Sequence, residues 1–403
     1  MIVTSAVRHA AAGATALLLA LEAPAALAAT VAEPTPPPRS FVDPAQLHRP
    51  GTQVQRLPGA PALPDDLSAR AWLLADAHSG EVLAAHDAHR RLPPASTLKT
   101  LFALTAMPNL PADLRHKVTE DELDGIGSGS SLVGVKEGYT YKVSDLWNGV
   151  FLGSGNDAVR VLAALDGGWD GMARKMQQKA EALGARDTRV VSPDGYDAPG
   201  QVSSAYDLAV FGRAGLQNPD FARYSATAYT EFPAGGWSYG IRNTNRLLTG
   251  ADGVARYPGL IGVKNGYTSG AGNTLIAAAQ RGSRTLVVTV MDPRSGGGLA
   301  VYEEARRLLD WGFEAAGKVR PVGSLQPGPA PADAQRAAGP DHPAKGAADA
   351  KGAAAARPEA AAAQEPAESG GLPLGFVGSA LAAAAGLWFW RRRNAGGNPE
   401  GRG

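Results

Sequence analysis

The chain has 403 residues, a formal net charge of +1 and no cysteine. A near-balanced charge gives no electrostatic reason to expect a nucleic-acid partner. Without thiols, disulfides and thiolate metal sites are both excluded, so stability has to come from an apolar core.

Arg8 and His9 precede an apolar run from Ala10 to Leu21, and Ala26-Leu27-Ala28 follows Pro24. A basic start, a short apolar stretch and small residues at a cleavage position describe a secretory signal peptide over residues 1–28. Residues 29–65 are rich in proline and read as an extended leader with no core of its own. Residues 66–320 follow as the expected globular domain. Ala71–Asp76 and Glu81–Ala85 flank Ala77-His78-Ser79-Gly80, a strand, a turn and a strand. Pro93 and Pro94 stop what precedes them, and an apolar helix-forming run follows, which places Ser96 at a helix N-terminus.

Residues 125–134 are a Gly/Ser-rich loop, followed by a helical stretch from Ser144 and a second one opened by Asp157. Met172, Met176 and Leu183 have helical spacing and read as core, and Ser204–Gly215 is amphipathic. Thr274–Ala279 and Thr285–Met291 form a predicted hairpin about Arg281-Gly282-Ser283, and a last helix spans Leu299–Ala316. Strands at both ends and helices in the middle predict an α+β fold with one antiparallel sheet.

Residues 321–370 collapse into Ala, Pro and Gly and read as a disordered spacer. Residues 371–390 carry no charge, are long enough to cross a bilayer and end in Trp388-Phe389-Trp390. Arg391-Arg392-Arg393 then places residues 391–403 in the cytoplasm and the rest outside, as a single-pass membrane protein. Leu372-Pro373-Leu374-Gly375 lacks the sortase pattern.

Ser96 and Lys99 lie one helical turn apart on one face. A deprotonated amine can act as base for a serine hydroxyl, and burial or a second cation favours that neutral form. Ser154-Gly155-Asn156 lies between two helices, and Lys264-Asn265-Gly266 precedes the final hairpin. Ser-x-x-Lys, Ser-x-Asn and Lys-x-Gly, in that order, form the signature set of penicillin-binding proteins and serine β-lactamases.

The surroundings of these motifs, with Asp197–Ala209 and Val263–Gly272, resemble the D-alanyl-D-alanine carboxypeptidases, the low-molecular-mass penicillin-binding proteins. The resemblance spans about Ala71 to Phe313. It implies an antiparallel sheet with helices on both faces plus a helical subdomain, the site lying between them. It also implies Ser96 as the nucleophile, Lys99 as its base and Ser154 as the proton relay to the leaving amine. Asn156 would hold the substrate amide, and Lys264 would keep Lys99 deprotonated and attract the terminal carboxylate. The backbone N–H groups of Ser96 and Tyr267 would hold the oxyanion, and Lys264-Asn265-Gly266-Tyr267 would line the substrate. The implied partners are peptidoglycan stem peptides and β-lactams, with no metal and no cofactor.

Asn265 stands where the family usually has threonine. Arg242 and Arg246 look displaced from a carboxylate pocket and receive no role. Gly236-Trp237-Ser238-Tyr239-Gly240 matches a nucleophile elbow by chance, because His342 is the only later histidine. His86 and His89 have metal-ligand spacing, but an exposed turn is the expectation. Between Ala163 and Gly171 only Asp166 and Asp170 are available, so the deacylating glutamate of a β-lactamase is missing. A transpeptidase and a non-catalytic binder of cell-wall peptide remain the alternatives.

Overall fold

The computed structural model of the chain describes residue 43 and residues 45–326. The expected signal peptide, the spacer from residue 327 on, the membrane span (371–390) and the cytoplasmic tail lie outside these residues. No helix among the described residues is long and apolar enough to cross a membrane.

The chain enters through β1 (Thr52–Arg56) and the hairpin of β2 (Ala69–Asp76) and β3 (Glu81–His86). It leaves the sheet through α1 (Lys99–Ala106) for a layer made of the pair β4 (Arg115–Lys117) and β5 (Thr140–Lys142) with α2 (Val143–Phe151), α3 (Asn156–Leu165) and α4 (Trp169–Ala182). Helices α5 (Ala205–Leu216) and α6 (Pro219–Ala226) lead back to the hairpin of β6 (Tyr229–Pro233) and β7 (Ser238–Arg242) and the short α7 (Arg246–Thr249). Strands β8 (Leu260–Thr268), β9 (Gly272–Arg281) and β10 (Arg284–Pro293), helix α8 (Ala300–Ala315), β11 (Val319–Arg320) and β12 (Gly323–Ser324) complete it.

The main sheet has the order β11-β1-β3-β2-β10-β9-β8, with β12 also on β3, and every pairing is antiparallel. Both faces are covered, which explains why β2, β9 and β10 read as nearly continuous apolar runs. Alternate residues serve opposite cores: Leu73, Ile276 and Val287 pack with the helical layer and α5. Leu74, Leu275 and Leu286 pack under α8. Thus α5 and α8 sandwich the sheet, and a Cβ on Gly312 of α8 would fall 2.5 Å from Leu74 Cδ2.

Two boundaries differ from the sequence reading. Residues 52–56, inside the stretch expected to be a coreless leader, pair with β3 and β11, and Leu47 is buried against the core. β1 reads Thr-Gln-Val-Gln-Arg, a polar strand held by backbone pairing, so hydrophobic patterning gives no sign of it. At the other end β12 and the buried Leu325 extend the fold past residue 320.

Candidate active site

Ser96 lies in a short 3-10 turn, Ala95–Leu98, that runs straight into α1 and sets the Lys99 side chain one turn away. Lys99 Nζ donates to Ser96 Oγ at 2.7 Å and to the backbone carbonyl of Asp194 at 2.7 Å. Lys99 is 1% exposed. Burial lowers its pKa to about 8, against the upward pull of the Asp194 and Asp157 carboxylates. Ser96 itself is half-buried, so its hydroxyl is reachable.

The turn is held under strain. Ala95 has φ +50°, uncommon for a residue with a Cβ. The carbonyl of the preceding Pro94 accepts from Thr97 Oγ1 at 2.5 Å and from Thr274 Oγ1 of β9 at 2.9 Å. These bonds fasten the Ser96 turn to the sheet.

Strand β8 brings Lys264, Asn265 and Gly266 to the same place. A Cβ on Gly266 would fall 2.7 Å from the Ser96 amide nitrogen and 2.7 Å from Thr274 Oγ1, so the strand approaches the turn as closely as only glycine permits. Lys264 is 1% exposed and donates to the Asn265 carbonyl at 2.8 Å. Burial lowers its pKa well below the ordinary lysine value, and repulsion from Lys99 adds to that. The sequence reading had Lys264 depressing Lys99. Burial is the principal cause for Lys99, and the repulsion acts against whichever amine takes the second proton. The Tyr267 side chain is 67% exposed, so this residue can serve the turn only through its backbone.

On the helical side, Ser154 sits between α2 and α3 with φ +56°, and its buried hydroxyl has no hydrogen-bond partner among the described residues. Asn156 Nδ2 donates to Ser130 Oγ at 3.0 Å, while its buried Oδ1 has no partner among the described residues. Such groups cost stability and mark places shaped for something other than packing. The Asp157 carboxylate accepts from the amides of Val133, Gly134 and Val135 at 2.7–3.1 Å, which binds the Gly/Ser-rich loop to this turn.

Three groups make contacts that no local sequence signal announces. Asp194 contributes a backbone carbonyl to Lys99, which no side-chain motif announces. Asp197 accepts from Thr268 Oγ1 at 2.7 Å and from the Gly270 amide at 3.0 Å, tying its loop to the β8–β9 turn. Thr244 Oγ1 donates to Asn265 Oδ1 at 2.9 Å. Arg246 is engaged with Asp252 at 2.8 Å and with the Tyr302 hydroxyl at 3.1 Å, and Arg242 is exposed on β7.

A cleft of about 450 Å³ runs from Pro93 and Pro94 past Gly195 to Ser269 and Gly270. It flanks Ser96 rather than enclosing it. His89 departs from the exposed turn expected of it: it is half-buried, 2.7 Å from Asp187 Oδ2 and stacked 4.0 Å from the His48 ring. Among the described residues no group of three or more His, Asp or Glu converges as a metal site would require.

A family model for D-alanyl-D-alanine carboxypeptidases, peptidase family S11, matches residues 58–295. The D-alanyl-D-alanine carboxypeptidase DacB2 of Mycobacterium tuberculosis is 42% identical over 270 residues, 66% of this chain and 89% of that protein. A crystal structure of a D-alanyl-D-alanine carboxypeptidase from the same organism superposes with a TM-score of 0.61 at 39% identity, covering 68% of this chain and all of the other. Penicillin-binding protein 6B of Escherichia coli gives a TM-score of 0.56 at 35% identity, covering 65% of this chain and 82% of that one. The strained serine turn, the two buried lysines and the sheet clothed on both faces therefore sit in a chain that belongs to the D-alanyl-D-alanine carboxypeptidase family of serine peptidases.

Proposed function

We propose that this chain removes the terminal D-alanine from peptidoglycan stem peptides through an acyl-enzyme on Ser96, and that β-lactams acylate the same hydroxyl. The observation that carries the reading is the 2.7 Å contact between Lys99 Nζ and Ser96 Oγ on an amine that burial has made easy to deprotonate. Neutral Lys99 takes the Ser96 proton as Oγ attacks the penultimate carbonyl. The oxyanion rests on the amides of Ser96 and Tyr267, the former in close contact with Gly266. Collapse expels the D-alanine amine, which takes its proton by way of Ser154, and water then cleaves the ester to regenerate Ser96.

Two buried amines that repel each other favour a pair holding a single proton. A substrate carboxylate arriving beside Lys264 draws that proton to Lys264 and leaves Lys99 neutral. Asn156 holds the substrate amide and Asn265 replaces the family's threonine as donor to the carboxylate.

The basic-apolar N-terminus and the uncharged segment 371–390 ahead of Arg391-Arg392-Arg393 support export and anchoring, with the enzyme on the outer membrane face. Fractionation of cells producing the chain with and without residues 371–403 tests this. Recovery of both forms in the same soluble fraction would refute the anchor.

The test of the activity is incubation of the detergent-solubilised chain with labelled penicillin and with a peptide ending in D-Ala-D-Ala. Stoichiometric label and released D-alanine are expected, and both are lost in Ser96→Ala. Label that persists in Ser96→Ala would refute the site. Label without released D-alanine would point to the transpeptidase or binder alternative.

A further inference from the structure

The replacement of threonine by Asn265 is accompanied by a network that holds the oxygen end of its amide. The Thr244 hydroxyl donates to Asn265 Oδ1 at 2.9 Å. The Tyr302 hydroxyl donates to the Thr244 carbonyl at 3.3 Å and accepts from Arg246 at 3.1 Å. Tyr302 is 2% exposed. Burial raises its pKa, and the charge and hydrogen bond of Arg246 oppose that rise. With Oδ1 accepting from the Thr244 hydroxyl, the NH₂ is the end of the Asn265 amide left to donate to a ligand.

Thr244 also spans the mouth of the site. Its amide donates at 3.0 Å to the carbonyl of Leu152, two residues before Ser154, so it links the helical side to the sheet edge. Thr244 is exposed and Asn265 half-exposed, so the pair is accessible to a ligand.

From this placement we infer that Thr244 is a positioning residue for carboxylate recognition: it holds the Asn265 amide by its oxygen, so that the NH₂, next to Lys264 on β8, is left as the donor to the substrate's terminal carboxylate. This rests on the carboxypeptidase reading above. Arg246 acts one layer back, because its guanidinium is shared between Asp252 and Tyr302. Without the Thr244 proton the Asn265 amide is free to rotate and present its oxygen, which repels an anion.

The experiment compares the full chain with Thr244→Val, Thr244→Ser, Asn265→Thr and the Thr244→Val/Asn265→Thr double variant on a peptide ending in D-Ala-D-Ala. Thr244→Val should raise KM roughly tenfold with kcat within about twofold, the size of one hydrogen bond to a charged group. Thr244→Ser should restore KM. In the Asn265→Thr background Thr244→Val should cost nothing further, because the residue acts through Asn265. An unchanged KM in Thr244→Val, a fall in kcat at constant KM, or an undiminished cost in the Asn265→Thr background would each overturn the inference. Absence of D-alanine release by the unaltered chain would instead strike at the carboxypeptidase reading. The role of Thr244 is then read from the affinity of Ser96→Ala for the same peptide, where the same tenfold loss on adding Thr244→Val is expected and no loss refutes it.

Discussion

Lys99 Nζ and Ser96 Oγ are 2.7 Å apart, and the other fixed partner of that amine is the Asp194 carbonyl, also at 2.7 Å. A carbonyl can only accept, so one N–H of the lysine is permanently committed to it. The amine is thereby oriented, and on losing a proton it turns its lone pair toward the serine. Burial brings that loss to about pH 8. The four predictions below follow from this pair and the elements that hold it.

The rate of Ser96 acylation by a labelled penicillin should depend on the neutral form of Lys99. Burial disfavours the ammonium and so lowers its pKa, which moves the rising limb from the ordinary lysine range down to about 8. Below that value the rate should rise about tenfold per pH unit, and above it level off. A profile that is flat from pH 6 to 9, measured by rapid mixing, would remove Lys99 from the role of base.

Stability should carry the same signature with a defined sign. The folded-state pKa of Lys99 lies below its unfolded value, so between the two the unfolded chain binds more protons and stability rises with pH. The methionine variant Lys99→Met lacks this dependence. Its melting temperature should compare most favourably with the unaltered chain near pH 7. That advantage should shrink by an amount on the order of 3 kcal/mol as pH approaches 10. Parallel stability curves for the two proteins across this range would contradict the buried-ammonium account.

Gly266→Ala places a methyl 2.7 Å from the Ser96 amide nitrogen and from Thr274 Oγ1. Either β8 or the serine turn has to move, and the Ser96 and Tyr267 amides proposed to hold the oxyanion move with it. Acylation should fall on the order of a hundredfold, with a stability loss of roughly 1–3 kcal/mol. Acylation within a few-fold of the unaltered rate would mean that the close approach has no bearing on the chemistry.

Asp157→Ala leaves the amides of Val133, Gly134 and Val135 without their common acceptor. A cost of roughly 3 kcal/mol is expected from urea unfolding, since hydrogen bonds to a charged group are being lost. Protease cleavage within residues 125–135 should rise, because the carboxylate gathers three consecutive amides of that loop, more than the Asn156 bonds to Ser130 and Ser131 that also tie it to the Ser154 turn. Unchanged cleavage there would show that the loop is held by other means.

The central part of the fold was legible because its signals are local. β2 and β3 sit about their Gly-containing turn, β9 and β10 are apolar on both faces, and α5 has Ser204 as its cap, accepting from the Asp207 amide. β1 was not legible. It carries polar side chains, and only backbone pairing with β3 and β11 makes it a strand. The hydrogen bond between His89 and Asp187 joins residues 98 positions apart, a distance no spacing rule covers.

The sequence by itself determined that a serine and a lysine share one helical face, because three residues make about one turn whatever the surroundings. It also supplied the order of three motifs whose company is far more specific than any of them alone. Only the tertiary structure decided that burial rather than Lys264 is the main cause of the lowered Lys99 pKa, that Asp194 orients the amine through its backbone, and that Thr244 holds Asn265. Each of these depends on desolvation or on a contact between segments far apart in the chain. Such terms are set by what surrounds a group in space, and its neighbours along the chain leave them unspecified.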